Sequence, residues 1–226
     1  MIRLTPQIDL QIHCIACSTH FAANDWAITG MHNIASGTCP SCNKKLHQEI
    51  PINAGLFYPG TLDAVTGKRV DNLPFENWYL DGLQKACANK ASTPIEFVVK
   101  KSRPLERERI AILNTIDQTY GHALFELLNA SYYLNRADTD LIILVQKEFS
   151  WMVPDGAAQV WIADISFGKA NNWNEWLAQR IKDELKDRQN VFLCRSFVQA
   201  TVMTTKKLHR AVMGGNIIMF NRLGAC

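Results

Sequence analysis

An α/β layer protein preceded by a small, metal-stapled β segment is the fold class this sequence predicts. Three observations carry that expectation: two Cys-x-x-Cys pairs in the first 50 residues, short apolar runs spread over residues 93–226, and helix-period segments between those runs. The 226-residue chain suits one large or two small domains. Its composition, 47% hydrophobic and 20% charged, provides for a buried core.

The metal expectation comes first in the chain. Cys14-Ile-Ala-Cys17 and Cys39-Pro-Ser-Cys42 are separated by 21 residues. Each Cys-x-x-Cys turn delivers two sulfurs to one ion, and four thiolates close the tetrahedral shell that structural zinc prefers. After the second pair comes Asn43-Lys44-Lys45-Leu46: a residue that tolerates a tight turn, two lysines that offset a four-thiolate charge, and an apolar anchor. His13, His20, His32 and His47 lie nearby, but four cysteines already complete the shell. The expectation is a structural Zn2+ held by Cys14, Cys17, Cys39 and Cys42 in a zinc ribbon over residues 1–50, with no position left for zinc catalysis. Unligated or redox-active thiols are the competing reading, disfavoured in a stretch too small for a core of its own.

Residues 51–92 read as a turn-rich connector with one helix from about Pro74 to Asn89. Residues 93–226 carry the apolar runs Ile95–Val99, Ile110–Leu113, Leu141–Val145, Gln159–Ala163, Val191–Cys194 and Ile217–Phe220. Runs that are apolar throughout belong to strands buried on both faces. Between them, HALFELLNASYYL places Leu124, Leu127, Leu128 and Tyr132 at helical spacing. Asn172 is the expected cap of a helix with the stripe Trp173, Trp176, Leu177, Ile181 and Leu185, and with Lys182, Asp183, Lys186 and Asp187 on a solvated face. Alternating strands and helices give a parallel sheet covered on both faces, a Rossmann-like α/β domain. The ending Arg222-Leu223-Gly224 resembles the start of a strand-to-helix loop, so the expectation is a chain cut from a longer protein, the alternative being a last strand that merely closes an edge.

Composition excludes several function classes. A net charge of +3 is too small to imply a nucleic-acid surface without a local cluster. The densest basic run, Lys100, Lys101, Arg103, Arg107 and Arg109, is broken by Glu106 and Glu108 and reads as a solvated connector. MIRLTPQIDLQIHC has no apolar core of a secretory signal, and no window approaches a membrane span. Paired cysteines suit a reducing compartment, so a soluble cytoplasmic protein is expected. Dinucleotide, P-loop and nucleophile-elbow motifs are missing.

Ligands of open α/β sheets bind beyond the carboxyl ends of the strands. Those positions hold Asn114 to His122, Gln146 to Glu148, Asp164 to Ser166, and Asn221-Arg222. Gly121 permits close backbone approach, and His122 falls in the first turn of the following helix. The positive helix end there disfavours imidazolium and leaves a neutral base. His122 is read evenly as a general base or as a capping histidine. Asp117 and Asp164 are site carboxylates or cap residues, with the cap reading favoured for each alone. Trp151 and Trp161 are expected to pack rather than stack on a ligand, Cys194 to be a buried small residue, and His209 to lie on a solvated helix.

The segments YGHALFELLNASYYL, VPDGAAQVWIADISF and NNWNEWLAQRI, together with the cysteine pairs and Gly30-Met31-His32, resemble a group of bacterial zinc-ribbon proteins. Those proteins are similar to the N-terminal half of GT-B-type glycosyltransferases. The resemblance implies a transferase acceptor half that meets a nucleotide-sugar and a sugar acceptor. It implies His122 as base or acceptor-binding group and Arg222 near a diphosphate; Asp117 is read as orienting His122, and Asn114, Tyr120, Gly121 and Asp164, from their place at the strand ends, as ligand contacts. It also implies that a chain lacking the donor domain is inactive alone. The alternative is a non-catalytic module in which the ribbon docks a protein or nucleic acid and the α/β layer is scaffold.

Overall fold

A computed structural model describes residues 1–52, 60–70 and 78–196. The core of the molecule is a six-stranded sheet assembled from β1 (Ile2–Arg3), β8 (Phe97–Lys101), β9 (Arg109–Asn114), β10 (Thr139–Gln146), β11 (Gln159–Ala163) and β12 (Val191–Leu193), in the order β1-β12-β9-β10-β11-β8. The four central strands are parallel. β9, β10 and β11 agree with the apolar runs, and each alternates its residues between two cores. Ile110, Ile112, Ile142, Leu144 and Trp161 face one cluster, and Ala111, Leu113, Leu141, Ile143 and Ile162 face the other. Continuous apolar runs are the sequence trace of such double burial.

The edges depart from an all-parallel expectation. β8 runs antiparallel to β11, and β1 antiparallel to β12. β8 lies at a half-exposed edge, where Lys100 and Lys101 point into water and deter further pairing. Two members of the basic run do more than solvate a connector. Arg103 and Arg107 pair with Asp140, which is fully buried at the start of β10 and also accepts the Glu106 and Arg107 backbone N–H groups. The run Ile217–Phe220, with His209 and Arg222, lies outside the described residues.

Helices α2 (Tyr120–Leu128) and α3 (Ala130–Leu134) cover one face, and α4 (Glu175–Leu185) covers the other. The first pair was expected as one helix. The chain instead breaks at Asn129, and its buried side consists of Ala123, Glu126, Leu127, Ala130 and Tyr133. Tyr132, placed in the apolar stripe by spacing, is 66% exposed, because the buried face runs through Ala123, Leu127, Ala130 and Tyr133 instead. The cap of α4 is Asn174, whose Oδ1 accepts the Leu177 N–H at 2.8 Å, not Asn172. Trp173 lies before the helix, held extended by the bridge between Ala91 and Asn174, and Trp176 is only half-buried. Leu177, Ala178, Ile181 and Leu185 form the buried stripe.

The N-terminal part is antiparallel throughout. β2 (Gln11–Cys14) and β3 (Thr19–Ala22) form a hairpin. β4 (Asp25–Ile28), β5 (Asn33–Thr38), β6 (Lys45–Glu49) and β7 (Thr61–Asp63) form a four-stranded sheet in sequence order. Helix α1 (Trp78–Ala88) packs Leu83, Ala86 and Cys87 on Ile34, Leu62 and Trp173. The expected start of this helix near Pro74 lies outside the described residues. One hydrophobic cluster runs without a break from Ile12, Phe21 and Trp26 to Ile112, Leu144 and Leu177. Burial joins the small sheet to the large one, and Asn174 N–H to Thr29 O and Met31 N–H to Ala170 O add backbone bonds of 2.9 Å each.

Candidate functional site

Two places in the fold collect chemistry. The first is the four-cysteine cluster. Cys14 ends β2 and Cys17 sits in the turn to β3, while Cys39 and Cys42 lie in the turn from β5 to β6. The two turns close by different backbone bonds but leave by the same left-handed step. Cys17 N–H returns to Cys14 O, and Asn43 N–H returns to Cys39 O. The residue after each pair, Ser18 or Asn43, has φ of 59°. That left-handed step is why a small or amide-bearing residue follows each second cysteine.

These turns bring four Sγ atoms within 4.8 Å of one another. Cys14 and Cys42 sulfurs are 3.5 Å apart, and Cys17 and Cys39 sulfurs 3.4 Å apart. Four sulfurs tetrahedral about one ion at the zinc–thiolate distance stand about 3.8 Å from each other. The cluster thus fits a four-coordinate, thiophilic ion with small adjustments. None of the neighbouring histidines belongs to it: His32 and His47 bond elsewhere, and His13 stacks on His20. Desolvation lowers the His47 imidazole to about 4, and Lys90 reinforces the shift.

The second place is the carboxyl end of β9. Asp117 is buried in the loop to α2; its Oδ1 accepts the Thr119 N–H at 2.7 Å and lies 3.5 Å from His122 Nδ1. His122, with 26% of its side chain exposed, is the member of the pair that a ligand can reach. Burial raises the Asp117 carboxyl above its ordinary value, while the Thr119 N–H and His122 oppose that shift. Among the described residues Gly121 has nothing within 4 Å of where a side chain would begin, so the backbone here is open to approach. Thr119, the helix cap, makes no side-chain capping bond.

Other expected contacts are placed as follows. Asn114 is buried and spans the sheets, with its Nδ2 donating to Gly30 O at 2.9 Å and to Asn33 Oδ1 at 3.0 Å. Tyr120 is exposed and leans on Phe149, with ring centroids 5.1 Å apart. Asp164 pairs with Lys147 at 3.0 Å in a surface triad with Glu96. Arg222 lies outside the described residues. Trp161 is buried and packs as expected, whereas Trp151, expected to pack, is 60% exposed on the 3-10 turn Lys147–Met152. Cys194 is buried directly after β12.

Sequence reasoning missed a buried polar group beside this loop. Glu126, one turn beyond His122, is wholly buried, and among the described residues neither of its carboxyl oxygens has a hydrogen-bond partner. Desolvation raises its carboxyl well above the ordinary value, and the Asp117 charge adds to the effect. Its only sequence signal is a position on the face shared by Ala123, Leu127 and Ala130. Tyr79, also fully buried, hydrogen-bonds Glu49 within reach of the same charges.

Comparison with protein-family models, curated proteins and solved structures finds no match. Among the described residues no helix is long and apolar enough to cross a membrane.

Proposed function

We propose that this chain is a zinc-stapled, Rossmann-like layer protein acting as the acceptor-side half of a GT-B-type glycosyltransferase. The observation that carries the reading is the His122–Asp117 pair at the carboxyl end of the central strand, with the histidine accessible and the carboxylate buried. Support for the layer reading comes from the parallel order β12-β9-β10-β11, in which the chain leaves β9 toward β10 and later returns to its other side. Such a reversal creates a crevice at the strand ends where ligands of open sheets bind. Zinc is supported by the donor set alone, four thiolates in two turns. The ribbon of residues 1–50, the connector of 51–92 and the α/β domain of 93–226 are assigned on that basis.

In this reading Asp117 accepts the Nδ1 proton of His122 and leaves Nε2 as the free lone pair. Nε2 takes the proton of an acceptor hydroxyl, whose oxygen attacks the anomeric carbon of the sugar donor as the nucleoside diphosphate departs. Positioning of the hydroxyl and neutralisation of the leaving charge supply most of the rate. The reaction class rests on the resemblance, and Arg222 takes the diphosphate contact that it implies. The test is calorimetric titration with nucleoside diphosphates and UDP- or GDP-sugars, on this chain and on any longer natural chain, with His122→Ala beside each. Binding weakened in His122→Ala supports the site; binding indifferent to that substitution, or no binding by the longer chain, overturns it.

One observation favours the docking module as a second reading. An apolar cavity of about 290 Å³, lined by Cys14, Ile15, Ala16, Lys44, Leu46 and Val70, opens beside the cysteine cluster. A protein side chain seated there would leave His122→Ala without effect.

A further inference from the structure

We propose that His13 and His20 form a second metal site, a two-imidazole chelate for a divalent transition-metal ion, separate from the four-cysteine cluster. The two residues are direct cross-strand partners in the β2–β3 hairpin. Ala23 N–H bonds Leu10 O, so the hydrogen-bonded pairs of this ladder are 10–23, 12–21 and 14–19. That alternation leaves 13–20 as a non-hydrogen-bonded pair, the kind whose Cα atoms stand about 4.5 Å apart and whose side chains approach most closely. The rings lie face to face, centroids 4.3 Å apart and planes 8° from parallel.

Both residues are exposed, and among the described residues neither imidazole has a hydrogen bond or ion pair, its one ring partner being the other. Strand alternation turns Cys14 to the buried side, so the imidazoles and the thiolates occupy opposite faces of the hairpin. Neutral imidazole suits nickel, copper, cobalt and zinc. Two ring nitrogens bound to one ion at about 2.0–2.1 Å stand roughly 3 Å apart. Stacked rings aim their in-plane lone pairs side by side, so each ring has to swing by tens of degrees to converge on one ion; both are exposed, and no core atom has to move. Two ligands leave the remaining coordination positions to water, so the ion exchanges freely, unlike one enclosed by four thiolates.

The test titrates Ni2+ by calorimetry into the full chain with its cysteine cluster loaded with zinc. One further equivalent is expected. Its affinity falls on the order of a hundredfold in each of His13→Asn and His20→Asn, because a chelate loses its effective concentration when either arm is removed. Zinc content of the variants shows whether the adjacent thiolate cluster is intact. In the unsubstituted chain, substoichiometric Cu2+ should broaden the imidazole proton resonances of His13 and His20 together. A wild-type chain that takes no Ni2+, one variant that keeps the full affinity, or broadening confined to other histidines overturns the assignment.

Discussion

His32 Nδ1 lies 3.2 Å from Glu49 Oε2, and neither side chain reaches solvent. The other Glu49 oxygen accepts the Asn33 N–H at 2.9 Å, and Tyr79 hydrogen-bonds the same carboxylate. His32 Nε2 meets Asn171 Oδ1 at 2.5 Å, so one buried network joins β6, α1 and the segment leading into α4. Removing one partner of a buried pair strands the other, at a typical cost of about 3–5 kcal/mol. Glu49→Ala should lower the unfolding free energy by that order in urea titrations. His32→Leu with Glu49→Leu should lose less than the sum of the two single changes. Additive losses would show that the network does not act as a unit.

Metal removal is predicted to act on the whole fold. The cysteine turns anchor Ile12, Phe21 and Leu46, which belong to the cluster that reaches Ile112 and Leu144. Cys39→Ser should abolish stoichiometric zinc, and a strong chelator should lower the melting temperature of the wild-type chain by many degrees. Cobalt substituted for zinc should give the intense visible bands of a tetrahedral thiolate site. Octahedral cobalt spectra would reject the four-thiolate shell.

How much of this was legible in the sequence follows from range. Cys14, Cys17, Cys39 and Cys42 announce themselves because a metal needs two sulfurs per tight turn, and that spacing is local. β9, β10 and β11 were legible because double burial leaves continuous apolar runs. Asp140 with Arg103 and Arg107 was not, since the partners are more than 30 residues apart and the charges look solvated in isolation. The antiparallel direction of β8 was invisible for a similar reason: an edge strand is defined by its neighbour. Tyr132 was assigned inward and is exposed, while Glu126, wholly buried on the same helical segment, drew no reading at all. Helical spacing counts apolar residues and is blind to a break at Asn129. His122 and Asp117 were legible as candidates because both stand just beyond one apolar run, Asp117 in the loop and His122 in the first turn of α2.

Gly30 offers a backbone test of the junction between the two sheets. Its φ is +142°, and a Cβ there would stand 2.5 Å from Ala170 O, a backbone atom that itself accepts Met31 N–H. Neither strain nor clash can be relieved by turning a side chain. Gly30→Ala should therefore cost at least about 1–3 kcal/mol, measured by chemical denaturation. Gly121→Ala meets open space and should leave stability within about 0.5 kcal/mol of wild type, or raise it slightly. Equal effects of the two substitutions would remove the distinction between a packed and an open glycine.

Glu126 predicts the sign of a pH dependence. Its carboxyl is held well above the ordinary value of 4.5 by burial and then by Asp117, so the folded chain keeps this proton where the unfolded chain has released it. More protons bound in the folded state mean that stability falls as pH rises, by up to about 1.4 kcal/mol per pH unit. The fall begins near 4.5, the unfolded value, and continues until pH passes the folded value. Asp117 is shifted the same way, so the informative quantity is the difference between wild type and Glu126→Gln. The amide copies the shape of the neutral acid without releasing a proton on unfolding. Glu126→Gln should therefore gain relative stability as pH rises from 4.5, levelling off once the folded value is passed, in urea titrations. A constant difference throughout that rise would mean that the carboxyl titrates alike in both states and that burial does not hold its proton.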